Sequence, residues 1–214
     1  MVLAVLALVL FLARFPLLRG MARVLIVDDG NASSPAVMPV GPRYYQEAAE
    51  HYHAHKNGQV LLFQGKLDRL EEMGIVPTAE AIACRELPRL RVPAEALQVL
   101  RSNGNRDWDL ARALAAWLND HPESQVVVVA NRFATRRLRL VVNRVVPAAD
   151  AGRVRLQAVP HPEYDENNWW TSKYGVLDVF GSYLRLGYGW LYGEDAPGSS
   201  WDPNAYEQTL IQQP

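Results

Sequence analysis

Three arginines within six residues, Arg132, Arg136 and Arg137, are the densest chemical signal in this chain. A guanidinium binds phosphate or carboxylate through two parallel hydrogen bonds, and an i, i+4 pair such as Arg132 and Arg136 shares a helix face. Backbone N–H groups at a helix start would help hold the same anion. The plainer reading is an exposed basic helix continuing through Arg139 and Arg144. Gly41 and Gly65 each follow an apolar run, where a ligand's phosphate can approach the backbone closely. Neither belongs to a GxGxxG or GxxxxGK[ST] fingerprint, so turn glycines are the competing explanation, and Lys66 beside Gly65 fits either. His51 and His55 are spaced as zinc ligands on a helix are, but no HExxH occurs and His53 points elsewhere. An exposed helix end is the better account, and no metal is expected. Asp28-Asp29 could bind a cation, but adjacent carboxylates at this place read first as a solvated spacer. Trp169 and Trp170, after Asn167-Asn168, read first as a clamp on the final helix and second as a stacking surface for a substrate. Tyr188, Trp190 and Tyr192 have the composition of a membrane-facing surface.

The elements that must position these residues centre on Gln125–Arg139, QVVVVANRFATRRLR. Four successive valines are apolar on both faces, as the central strand of a parallel sheet must be. The run turns polar at Asn131-Arg132 and an amphipathic helix follows. In open α/β sheets ligands sit beyond the carboxyl ends of such strands. Other strands are expected at Pro35–Gly41, Gln59–Phe63, Leu97–Leu100 and Val154–Val159. Helices are expected at Arg43–His55, from Thr78 to about Leu87, at Asp107–Asn119 and at Ser172–Tyr192. The alternation predicts an α/β fold with a doubly wound, mainly parallel sheet of about five strands flanked by helices in three layers. An N-terminal hydrophobic helix precedes it.

Bulk properties narrow the field. A chain of 214 residues with 49% hydrophobic content supports one core, and a formal net charge of −1 gives no broad electrostatic case for nucleic acid. The single cysteine, Cys84, rules out an internal disulfide and a cysteine-based zinc site. Met1–Leu12 is unbroken apolar sequence, and Phe15–Leu18 resumes it after Arg14. Eighteen helical residues span roughly 27 Å, marginal against a hydrocarbon core of about 30 Å. The basic start and the Ala-x-Ala cleavage site of a secretory signal are missing, which favours a retained anchor; a buried core helix is the alternative. Arg14, Arg19 and Arg23 favour a cytoplasmic main domain, yet the side of the membrane stays undecided. The expected organisation is an anchor over 1–27, an α/β domain over 28–194 and a loose tail over 195–214.

In order along the chain, Gly41, Arg43, Glu47-Ala48-Ala49, Gly65, Asp107-Trp108-Asp109, Phe133-Ala134-Thr135-Arg136-Arg137 and Trp169-Trp170 match a recurring pattern. Together they resemble the YdcF/SanA/ElyC-like family of bacterial envelope-associated proteins, from about Leu17 to Glu194. The departures fall at the side chains best suited to acid–base or nucleophilic work. The family's glycine pair is Val40-Gly41-Pro42 here and its Ser-Gly-Gly is Gln64-Gly65-Lys66. Its Thr is Asp107, its helix Glu is Leu110 and its His is Ala134.

The resemblance implies a single-pass protein of the bacterial inner membrane, attached through residues 1–27, acting in cell-wall or surface-polysaccharide metabolism. It implies a phosphorylated or lipid-linked small ligand held by Gly41, Arg43, Glu47, Gly65, Asp107, Asn131, Arg132, Arg136, Arg137, Trp169 and Trp170. With the hydroxyl, carboxylate and imidazole replaced, binding is better supported than catalysis, and no cofactor is assigned. The alternatives are a non-catalytic scaffold with a decayed pocket and a nucleotide- or methyl-donor-binding enzyme, the latter on fold analogy alone.

Overall fold

A computed structural model describes residues 14–30, 34–55, 58–104 and 107–193. Five strands form one parallel sheet: β1 (Ala36–Pro39), β2 (Gln59–Gln64), β3 (Leu97–Arg101), β4 (Val126–Asn131) and β5 (Val154–Val159). Their order across the sheet is β3-β2-β1-β4-β5. The chain thus builds outward from β1 in one direction, then crosses back to β4, leaving a switch point between β1 and β4.

The valine run explains why β4 is central. Val126 to Val129 are each at most 1% exposed. Val126, Val128 and Ala130 join Met38, Leu61 and Leu156 under α5 (Asp107–Asp120) and α6 (Thr135–Val145). On the opposite face Val127 and Val129 join Val37, Val60 and Leu62 under α2 (Tyr45–Ala54) and α4 (Ala79–Glu86). Removing each valine from water contributes roughly 1.5–3 kcal/mol. Leu110, Leu114, Trp117 and Leu118 supply the buried face of α5, as their helical spacing predicts. Short helices α3 (Arg69–Glu72) and α7 (Ala148–Ala151) occupy connections, and the charged stretch before Met73 supplies α3 with a reciprocal Asp68–Glu71 capping box.

A helix over residues 14–24, α1, and the 20-residue α8 (Lys173–Tyr192) lie against the turn that follows β4. Ala22, Leu25, Phe133, Tyr164, Trp169 and Val179 form the core between them. Leu18, Ala22, Leu25 and Ile26, within the span the sequence assigns to an anchor, pack against this core. Ala22 and Leu25 are essentially inaccessible, at 0% and 1% exposure. Val27 N–H donates to Thr135 Oγ1 at 2.9 Å, and Arg136 N–H to Leu25 O at 3.0 Å. The expected hydrophobic N-terminal helix falls mainly on residues 1–13, outside the described residues, as does the expected tail over 195–214. Among the described residues no helix is long and apolar enough to cross a membrane.

Candidate functional site

Gly41 ends β1 with φ 105° and ψ 165°, a region open essentially to glycine alone. This lets the chain turn directly into Pro42–Tyr44, a short 3-10 turn, and then into α2. At the end of β2, Gln64 is buried, accepts from Glu80 N–H at 3.1 Å and donates to Gly65 O at 3.2 Å. Between these strand ends lies a cleft of about 420 Å³, lined by Val40, Gly41, Phe63, Gly65, Lys66 and Leu110 among others. A second hollow of about 430 Å³ continues past β2 and β3, where Arg101 and Glu80 pair at 2.5 Å. Gly41 and Gly65, predicted separately, thus border one cavity. Leu110 closes it with apolar surface.

Beyond the β1–β4 switch point the chain gathers a polar cluster. Asn131 caps the turn after β4, its Oδ1 accepting from Phe133 N–H at 2.8 Å. Its Nδ2 donates to Asp178 Oδ2 at 2.9 Å, and Tyr164 O–H donates to the same oxygen at 3.2 Å. The Tyr164 ring stacks on His161 with centroids 4.1 Å apart. Burial first, then the Asp178 charge, pushes Tyr164 up to about 12, so its proton is retained for donation. Tyr44 is raised mainly by burial, with Arg43 acting against the shift. His161 is lowered by desolvation and then by the Arg43 charge, which makes it a neutral imidazole at pH 7. Glu163 N–H donates to His161 Nδ1 at 3.1 Å, which leaves the ring proton on Nε2.

Arg43 is exposed and within electrostatic reach of Tyr44, His161 and Tyr164. Its guanidinium makes no hydrogen bond or ion pair among the described residues. The other predicted arginines are engaged internally. Arg132 pairs with Glu166, and Arg137 with Asp107. Arg136 donates through Nε to Val24 O at 2.9 Å, closing the end of α1. The plain reading of an exposed basic helix also fails for Arg139, which bridges Asp29 and the carbonyl of Val154 at 3.0 Å. Asp29 in turn accepts from Leu156 N–H at 2.7 Å, so it is a joint and not a solvated spacer. Buried without hydrogen-bond partners among the described residues are Glu47 Oε2, Arg132 Nε and Arg137 Nε. Each is a polar atom with capacity for a ligand or a water.

Trp169 is 1% exposed and donates from Nε1 to Leu18 O at 3.0 Å, which is the clamp geometry. Trp170 lies against Trp169 and Phe15 instead of the cleft. The histidines on and just after α2 spend ring nitrogens on carbonyls: His51 on Ser34, His53 on Leu90 and His55 on His51. No group of three His, Cys, Asp or Glu side chains among the described residues is arranged to hold a metal.

The structure therefore brings together Gly41, Arg43, Gly65 and Asn131 along the carboxyl edge of the sheet. It sets Arg132, Arg136, Arg137, Trp169 and Trp170 in the packing of α1, α5, α6 and α8. Sequence reasoning missed Tyr44, Gln64, His161, Tyr164 and Asp178. Two signals were present. His161-x-x-Tyr164 follows β5 closely, and Asp178 is the sole carboxylate in the 20-residue α8. No protein family matches this sequence, and no curated protein or solved structure matches it either.

Proposed function

We propose that this chain is a membrane-anchored, envelope-associated protein of the YdcF-like type that binds an anionic, phosphorylated ligand in cell-wall or surface-polysaccharide metabolism. The ligand's anionic group sits on Arg43 at the switch point, and the rest of it extends over Gly41 and Gly65. Met1–Leu12 is the anchor. The observation that carries this reading is the state of Arg43, exposed at the carboxyl edge of the sheet with its guanidinium uncommitted, while the neighbouring arginines are spent on internal partners. His161 Nε2–H and Asp178 beside it supply a donor and a carboxylate for ligand hydroxyls.

A thermal-unfolding screen with inorganic phosphate, sugar phosphates, nucleotides and lipid-linked sugar phosphates tests it. A ligand that raises Tm in the parent chain is expected to lose its increment in Arg43→Ala. In Arg136→Ala the starting Tm is expected to fall while the increment survives. Binding unchanged by Arg43→Ala would sink the proposal.

A second reading is favoured by the internal pairing of Arg132, Arg136 and Arg137 together with the apolar outer face of α8. This is a non-catalytic scaffold whose pocket has lost its ligand. It gains if no compound in the screen moves Tm.

A further inference from the structure

One face of α8 packs on the core through Val179, Ser182 and Gly175, which are buried. The opposite face is also apolar. Tyr174, Leu177, Phe180, Leu184, Tyr188 and Leu191 recur at spacings of three and four, and Leu184 and Leu191 are 75% and 68% exposed. A helix apolar all round requires a second apolar neighbour. We propose that this outer face of α8 lies flat on the surface of an anionic phospholipid bilayer, the same bilayer that holds Met1–Leu12; the inference rests on the anchor in the reading above.

Three observations select the bilayer. First, α1 and α8 run side by side in the same direction: Phe15 meets Trp170 at 5.8 Å, Trp169 binds Leu18 O, and Tyr183 O–H donates to Met21 O at 2.6 Å. The described chain therefore begins beside the start of α8, and Met1–Leu12, the anchor of the reading above, immediately precedes it in sequence. Second, the exposed charges carried by the two helices are cationic: Arg14, Arg19 and Arg23 on α1, Lys173 and Arg185 on α8. Of the nearby acids, Asp178 is turned inward to Asn131 and Tyr164, and Glu166 to Arg132. Cations attract an anionic leaflet, whereas a second copy of this face would bring them together with like charges. Third, Tyr174, Tyr188, Trp190 and Tyr192 lie at exposed positions on α8, and such rings favour the headgroup region.

The full chain, with Cys84→Ser and a single environment-sensitive fluorophore attached at Leu184→Cys, Leu191→Cys or Glu95→Cys, is reconstituted into vesicles. One set contains phosphatidylcholine and phosphatidylglycerol, the other phosphatidylcholine alone. Probes at 184 and 191 are expected to shift to the blue with several-fold brighter emission in the anionic vesicles, and to be quenched by spin-labelled lipid. The probe at 95, on an exposed turn remote in sequence, is expected to stay aqueous. Chains that sediment with vesicles while the 184 and 191 probes stay aqueous would overturn the inference and leave the anchor standing. Chains that fail to sediment would overturn both. Leu184→Cys chains that cross-link to one another while escaping lipid quenching would mean a second copy covers the face, and would also overturn it.

Discussion

Asp178 shows how much depends on single side chains at the carboxyl edge of the sheet. It is the joint at which α8, the turn after β4 and the loop after β5 meet, because Asn131 and Tyr164 both donate to its Oδ2. A hydrogen bond to a charged acceptor contributes about 1.5–3 kcal/mol, and Asp178 is only half-buried, so the low end applies. Asp178→Ala is expected to lower unfolding stability by about 2–3 kcal/mol in urea titration, with a smaller loss in Tyr164→Phe. Equal stability of Asp178→Ala and the parent would show that these bonds are replaced by water at no cost. None of this was legible in the sequence, since Asn131 and Asp178 are 47 residues apart and nothing local pairs them. Gly41 and Gly65 were legible because strand ends and glycines are both local signals.

At the scale of elements, α6 is the fastener of the domain. Of its buried positions, Leu138 and Val142 join the sheet core, Val141 packs on Trp108 and Ala111 of α5 and Thr135 bonds Val27 N–H, while its arginines reach outward to different neighbours. Arg136 holds α1, Arg137 holds the start of α5, Arg139 holds the segment before β1 together with β5, and Arg144 holds the carbonyl of Gly189 on α8 at 2.9 Å. A cluster of arginines was visible in the sequence. Its partners were not, because a guanidinium that seals a helix end and one that awaits a phosphate have the same local sequence. Trp169 plays the matching role from the short 3-10 turn before α8. Trp169→Phe keeps most of the apolar burial but removes the donor to the half-buried Leu18 O, a lost hydrogen bond worth about 0.5–1.5 kcal/mol. Amide exchange in residues 18–26 is expected to quicken in this variant ahead of exchange in the sheet. Uniform quickening would mean that α1 does not open separately.

For the whole molecule, the three-layer sheet and its strand composition could be read from periodicity, whereas the order β3-β2-β1-β4-β5 required the structure. That order matters because it sets Arg43 and Asn131 on either side of one crevice. The folded state also has two pH limits. His51, half-buried and held by Ser34 O, has its pKa lowered below 6.5 mainly by desolvation, and His161 is lowered as well. The unfolded chain then binds more protons between the folded pKa and 6.5, so stability is full above 6.5 and declines as pH falls below it. Tyr45 and Tyr164 are raised to about 12 from 10.0, chiefly by burial. Here the unfolded chain loses protons first, so stability is full below pH 10 and declines as pH rises toward 12. Urea midpoints measured across pH are expected to trace this plateau, and His51→Gln is expected to flatten its acid side. An unchanged acid limb in that variant would assign the loss to other groups.

The attachment of α1 has a consequence for how the protein is made. Its contacts come from Thr135, Arg136, Trp169 and Tyr183, and the Met21–Tyr183 bond spans 162 residues. At translation rates of about 5–20 residues per second, the ribosome needs roughly 10–30 s to deliver that last partner after Met21 emerges. Throughout that interval the first segment of the chain has no folded surface to dock on. Docking of α1 is therefore among the last steps of folding, and α8 closes over it only after nearly all of the described chain has been made.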